Sequence, residues 1–148
     1  MSPGPVARFI EEVTAWARET GTIERPWVQK INAIEVLDRA IGHNSLSGVQ
    51  LFFPDPWHKT RHHKRRLVQI DFVKLIAQKL KPSGIFHMAT DWVEYADHMK
   101  AVLKQSPDFK AVEPTQLAEL IAQRPKTKFE NRGIRLGHVI TDLAYLKL

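Results

Sequence analysis

The chain contains no cysteine. Disulfides, cysteine-ligated zinc and thiol chemistry are thereby excluded together, which fits a cytosolic protein. Glycine is also sparse: the seven glycines are scattered over 148 residues and no G-x-G-x-x-G occurs, so the chain carries no phosphate-cradling loop of that form. No apolar run approaches membrane-spanning length, and the first residues lack the charged-then-apolar form of a signal peptide. A soluble, cytoplasmic protein without membrane contact is expected. There is no internal repeat. With 43% hydrophobic and 26% charged residues, the composition suits one globular domain with a modest core.

What the chain does have is localised positive charge. Lys and Arg outnumber Asp and Glu by 22 to 16, and the excess is concentrated in residues 49–66, VQLFFPDPWHKTRHHKRR. The apolar stretch 49–53 has the length and the β-branched and aromatic character of a buried strand, and Pro54 stops it. Asp55 stands between two prolines, each with a preset φ and no N–H, so its carboxylate sits on a stiff turn where a strand leaves its sheet. Trp57 follows. Lys59, Arg61, Lys64, Arg65 and Arg66 come next, with His58, His62 and His63 among them and no acidic residue before Ile70. Such a run calls for water or a polyanion. The three histidines have some metal-like spacing, but cations surround them and no carboxylate is interleaved, so no metal site is assigned.

Elsewhere the pattern alternates between helix and strand. Val6, Phe9, Ile10, Val13, Trp16 and Ala17 recur at helical spacing, which predicts an amphipathic helix of about four turns near the N-terminus. Ile34, Leu37 and Ile41 suggest a short helix closed by Gly42. A helix over 68–80 is stopped by Pro82, Ser83 and Gly84. A second buried strand at 85–90 ends in Asp91-Trp92, much as the first ends in Asp55-Pro56-Trp57. His87, inside it, reads as a satisfied core histidine. A helix over 93–103, an edge strand at 109–112, an ambiguous helix or loop at 117–121, a crossing segment at 127–135 and a strand at 139–146 complete the chain. Strands alternating with helices imply an α/β sheet, parallel at its centre, with the last two strands as an antiparallel edge. Ligands in such sheets bind beyond the carboxyl ends of the strands.

The words FFPDPWHK, KRR, HMATDW and TKFENRG resemble, in order and spacing, the bacterial tRNA (guanine-N(7))-methyltransferase family. The resemblance runs from about residue 31 to 148. It implies the C-terminal part, 30–148, of a class I methyltransferase domain, a partial Rossmann-like sheet with flanking helices lacking the first strands. Residues 1–29 form a separate helical segment with no such resemblance. The implied cofactor is S-adenosyl-L-methionine and the implied partner is tRNA, methylated at guanine 46.

The family's motifs carry over residue by residue. Asp55 would be the catalytic group and would hold the cofactor end together with Asn32, which stands where the family usually has an acidic residue. Lys59, Asp91, Thr127, Lys128, Phe129 and Glu130 would contact the substrate nucleotide. Arg61, His62, His63, Lys64, Arg65 and Arg66 would grip RNA. If all five cations from Lys59 to Arg66 paired with phosphates, affinity would fall with salt at a log-log slope between about −3.5 and −4.5. Asp91 has a second reading as a helix N-cap, and Trp57 as a packing residue. The family's glycine-rich loop belongs upstream of these motifs. Two expectations follow: an enzyme completed by a longer product or a second chain, or a non-catalytic RNA-binding remnant.

Overall fold

The computed structural model describes residues 6–8, 37–39, 41–124, 137 and 139–148. In chain order these form β1 (Val6–Arg8), β2 (Leu46–Phe52), a 3-10 segment (Thr60–Arg65), α1 (Ile70–Lys79), β3 (Leu80–Thr90), α2 (Val93–Lys104), β4 (Phe109–Ala111), α3 (Pro114–Gln123) and β5 (Thr141–Lys147). Leu37 to Arg39 are also helical. The strands make one mixed sheet in the order β1-β2-β3-β5-β4. The first three are parallel, and β5 runs antiparallel to both β3 and β4. This is the α/β arrangement that the alternating pattern implies.

The period of two in the strands decides which side chains meet. Val49 pairs with Phe86 and Leu51 with Met88, while Tyr145 and Leu143 lie opposite these two from β5. All six therefore share one face. That face is closed by α1 through Phe72, Val73 and Ile76, by α2 through Tyr95, Met99 and Leu103, and by Leu37 and Ile41. Gln50, Phe52, His87, Ala89, Asp142 and Ala144 occupy the other face, where α3 packs against β5. Continuous burial from Phe86 to Thr90 is what a central strand covered on both sides requires.

Three expectations are corrected and one open reading resolves. Val6–Arg8 is strand, not helix, and pairs with residues 48–50; an open edge on β2 offers unpaired N–H and C=O groups, and satisfying them outweighs helical periodicity there. The remainder of that helix, residues 9–17, lies outside the described residues. β2 begins at Leu46 rather than Val49 and ends at Phe52. α1 passes directly into β3 at Leu80, so Pro82, Ser83 and Gly84 do not separate the two elements. They instead break the β2–β3 ladder: Leu46 pairs with Leu80 and Gly48 next pairs with Ile85, so residues 81–84 arch out opposite Ser47 alone. Ser83 takes φ +69° in this arch, and a Cβ on Gly84 would stand 2.8 Å from the Lys81 carbonyl oxygen. The ambiguous 117–121 stretch is helical, within α3, with Pro114 in its first turn where a missing N–H costs nothing.

Candidate functional site

The site is built on the loops that leave β2 and β3. Past Phe52 the chain turns at Phe53, whose φ is +55° and whose N–H donates to the Ala89 carbonyl at 2.7 Å. Trp57 also has positive φ, +45°. Bulky residues are rare in this region, and each such conformation costs about 1–3 kcal/mol and persists only where its surroundings enforce it. Part of the enforcement is visible: Asp55 Oδ1 accepts the Trp57 N–H at 2.9 Å, closing the turn over Pro56. Asp55 is exposed and one of its oxygens is committed to that bond.

The loop after β3 is made differently. Thr90 Oγ1 accepts the Trp92 N–H at 3.2 Å, and Trp92 is the N-cap residue of α2, with no side-chain cap bond. The N-cap position therefore belongs to Trp92 and not to Asp91, which is half-buried. The two loops meet where the His58 ring stands edge-on to Trp92 at 4.1 Å.

The basic run forms the 3-10 segment. Lys59, Arg61, Lys64 and Arg65 are exposed, and His62 and His63 are half-buried. The Arg65 guanidinium lies over the Trp57 ring at 5.3 Å, and His62 meets the same ring edge-on at 5.9 Å. Trp57 is thus both packed and cation-capped.

Arg66 departs from its neighbours, with a side chain only 1% exposed. Its Nε donates to the Pro56 carbonyl at 2.7 Å, Nη2 lies 3.1 Å from His63 Nε2 and Nη1 pairs with Glu94 Oε2 at 2.7 Å. The guanidinium also sits 4.8 Å above the Tyr95 ring. Gln69 Nε2 donates to both the His63 and Arg66 carbonyls. A phosphate contact is expected of this residue from sequence; in this arrangement its donors face inward. The hydrogen bond from Arg66 holds the Glu94 carboxyl below its ordinary range. Burial pushes the Tyr95 phenol up to about 12, while its hydroxyl accepts the Val68 N–H at 3.3 Å.

A second polar cluster, not anticipated from the motifs, occupies the other face of the sheet. Asp142 Oδ2 lies 2.7 Å from His87 Nε2, and Arg124 forks onto the same carboxylate through Nε to Oδ2 at 2.8 Å and Nη2 to Oδ1 at 3.0 Å. His87 also stands edge-on to Phe52 at 5.0 Å, and Arg124 lies 6.0 and 5.9 Å from the Phe52 and Phe53 rings. Burial raises the Asp142 pKa, but hydrogen bonds from His87 and Arg124 outweigh it and hold the carboxyl below its ordinary range. His87 is indeed a satisfied core histidine. Its partner was not legible, because nothing local marks residue 142 as lying beside residue 87 before β5 is placed next to β3.

Asn32, Thr127, Lys128, Phe129 and Glu130 lie outside the described residues. Among the described residues no group of three or more His, Asp or Glu side chains could hold a metal ion, and no helix is long and apolar enough to cross a membrane.

Comparison with known proteins places this chain in a family. A family model described as "Putative methyltransferase" matches residues 10–143. The tRNA (guanine-N(7)-)-methyltransferase of Psychromonas ingrahamii is 54% identical over 117 residues, 79% of this chain and 48% of that protein. That of Shewanella pealeana is 56% identical over 115 residues, 77% of this chain and 48% of its own, and that of Pseudomonas putida 51% over 123, covering 82% and 51%. This chain thus spans about half the length of the curated relatives it matches. Among solved structures, a SAM-dependent O-methyltransferase from Thermotoga maritima aligns at TM-score 0.46 and 16% identity, covering 97% of this chain and 49% of that one, a likeness too loose to argue from.

Proposed function

Because this chain belongs to the tRNA (guanine-N(7)-)-methyltransferase family, we propose that it contributes the guanine-facing and RNA-facing part of an enzyme that methylates N7 of guanine 46 in tRNA. The observation that carries this reading is the Asp55 turn: an exposed carboxylate on a stiff frame at the carboxyl end of β2, followed directly by a row of exposed cations. S-adenosyl-L-methionine, when bound, supplies an electrophilic methyl group. The described residues fit its neighbourhood in one respect, since Asp55 offers a preset acceptor for an amino or hydroxyl group where such sheets bind their ligands. Asn32 is its proposed companion in holding the cofactor.

Guanine N7 has an in-plane lone pair and no proton to remove, so the residues need not supply a strong base. Their task is alignment and stabilisation of the positive charge that the purine acquires. Asp55 would do both. Asp91, brought near the same loop by the His58–Trp92 contact, would bind the nucleotide with Lys59, and Thr127, Lys128, Phe129 and Glu130 would complete that pocket. Arg61, His62, His63, Lys64 and Arg65 would meet the RNA backbone. With four solvent-facing cations, the expected salt slope is about −2.8 to −3.6.

The coverage of about half the relatives' length favours keeping a second reading, RNA binding without turnover, or turnover only with a second chain. Calorimetric titration with S-adenosyl-L-methionine, beside tRNA retention on a filter, separates these readings. Micromolar cofactor binding with tRNA methylation supports the enzyme, and Asp55→Ala should then abolish turnover while tRNA binding persists. tRNA retention without cofactor binding supports the second reading. Loss of both would end the proposal.

A further inference from the structure

Arg66 is the last of the run KRR, yet its surroundings differ from those of the two cations before it. Lys64 and Arg65 are exposed. The Arg66 guanidinium instead reaches three separate chain segments: the turn at Pro56, the 3-10 segment at His63 and the first turn of α2 at Glu94. It does so over the face of Tyr95, itself fully buried and hydrogen-bonded to the Val68 amide. The geometry points to Arg66 as a positioning residue that locks the Asp55–Trp57 turn onto α2, and so fixes Asp55, instead of a ligand for RNA phosphate. The inference rests on the methyltransferase reading only in giving Asp55 a task that needs fixing.

The physical case is one of planarity and reach. A guanidinium presents donors on its Nε and on both terminal nitrogens in a rigid plane, so one side chain can hold a carbonyl, an imidazole and a carboxylate at fixed angles. The Pro56 carbonyl belongs to the residue between Asp55 and Trp57. Neither Pro54 nor Pro56 has an N–H with which to anchor the turn; the Pro56–Trp57 peptide is held on its N–H side by Asp55 and on its carbonyl side by Arg66. Trp57, at positive φ, needs such a hold. A single ammonium cannot replace it: lysine has the charge without the fork.

The test uses hydrogen exchange in the free 148-residue chain. In residues 54–58 the two prolines carry no amide hydrogen, so the Trp57 amide, which donates to Asp55, can be followed there with little overlap. Arg66→Gln should speed its exchange by about tenfold, the scale of losing a charge-assisted hydrogen bond, while amides of β3 change by less than about twofold. Arg66→Lys should not restore the slow rate. Lys64→Gln should leave exchange at Trp57 unaltered and lower the tRNA salt slope by roughly 0.7–0.9, whereas Arg66→Gln should leave that slope as it was.

Unchanged exchange at Trp57, equal acceleration in β3, or rescue by lysine would overturn the assignment. So would a salt slope that Arg66→Gln flattens as much as Lys64→Gln does. Should Arg66→Gln fail to fold, Glu94→Ala, which takes the acceptor away from Arg66 Nη1, carries the same comparison from the half-exposed end of the clamp: faster exchange confined to Trp57 supports the inference, and none refutes it. Absence of tRNA binding would count against the methyltransferase reading alone, because the exchange measurement needs no RNA.

Discussion

Arg66 and Arg124 both turn inward near the carboxyl end of the sheet, and both pair with a carboxylate, but the two pairs are opposite in design. Arg124 and Asp142 are buried together, with side chains 5% and 3% exposed, and the fork between them is two-pronged. Arg66 is buried while its partner Glu94 is 52% exposed, and the other donors of its fork go to a carbonyl and an imidazole. The first pair is a sealed unit inside the fold. The second is a clamp whose outer jaw stands in water. Low dielectric strengthens the first and makes it costly to break; solvent screens the second, whose value lies more in geometry than in energy.

The largest effect should come from opening the sealed pair. Arg124→Leu leaves Asp142 buried with His87 as its remaining partner in that cluster, and removing one member of a buried pair costs about 3–5 kcal/mol. Urea unfolding at neutral pH measures it, and a loss under about 1 kcal/mol would show that water already reaches the cluster. The same pair carries an acid limb. Because the folded Asp142 is held below its ordinary range, its stabilisation is present above about pH 4 and is lost as pH falls through the folded value. Asp142→Asn should flatten that limb.

Next comes the floor of the clamp. Tyr95 is neutral in the fold up to about pH 12 against an ordinary value of 10.0. A phenol raised in this way stabilises fully below pH 10 and loses its contribution as pH rises through 12, an amount reaching roughly 3 kcal/mol. Wild-type unfolding should therefore weaken through that alkaline window, and Tyr95→Phe should remove the slope while sacrificing the bond to the Val68 amide. An equally steep slope in the phenylalanine variant would assign the alkaline loss to other groups.

The contrast between the pairs also marks where sequence reading succeeds. Strands β2 and β3, helices α1 and α2 and the antiparallel edge follow from local periodicity, and Asp55 stands out because prolines flank it. Arg66 looks like Arg65 in sequence, since a run of cations does not declare which one turns inward; that depends on α2 bringing Glu94 and Tyr95 beneath it. Glu94, Arg124 and Asp142 carry no motif, and each acquires its partner only when elements distant in the chain are packed. β1 was missed because three residues are too few for a period of two to compete with a helical pattern that overlaps them. Pro82, Ser83 and Gly84 interrupt a ladder instead of ending α1, because β2 and β3 still share pairing on both sides of the arch.

The smallest effect should be at the outer jaw. Glu94→Gln keeps an acceptor oxygen for Arg66 and removes a charge that is half in water, so its cost at neutral pH should stay within about 1 kcal/mol, the range of exposed ion pairs. Its pH signature is the sharper test. The Arg66 hydrogen bond depresses the folded Glu94 pKa, so the contribution of the pair is present above the ordinary glutamate value and fades as pH falls through the lowered one. Wild type and Glu94→Gln should thus differ slightly at neutral pH and converge in acid, with the difference shrinking further in high salt. A difference of several kcal/mol that ignored salt would mean that the clamp is sealed in solution like the Arg124 pair, and the contrast between the two arginines would be lost.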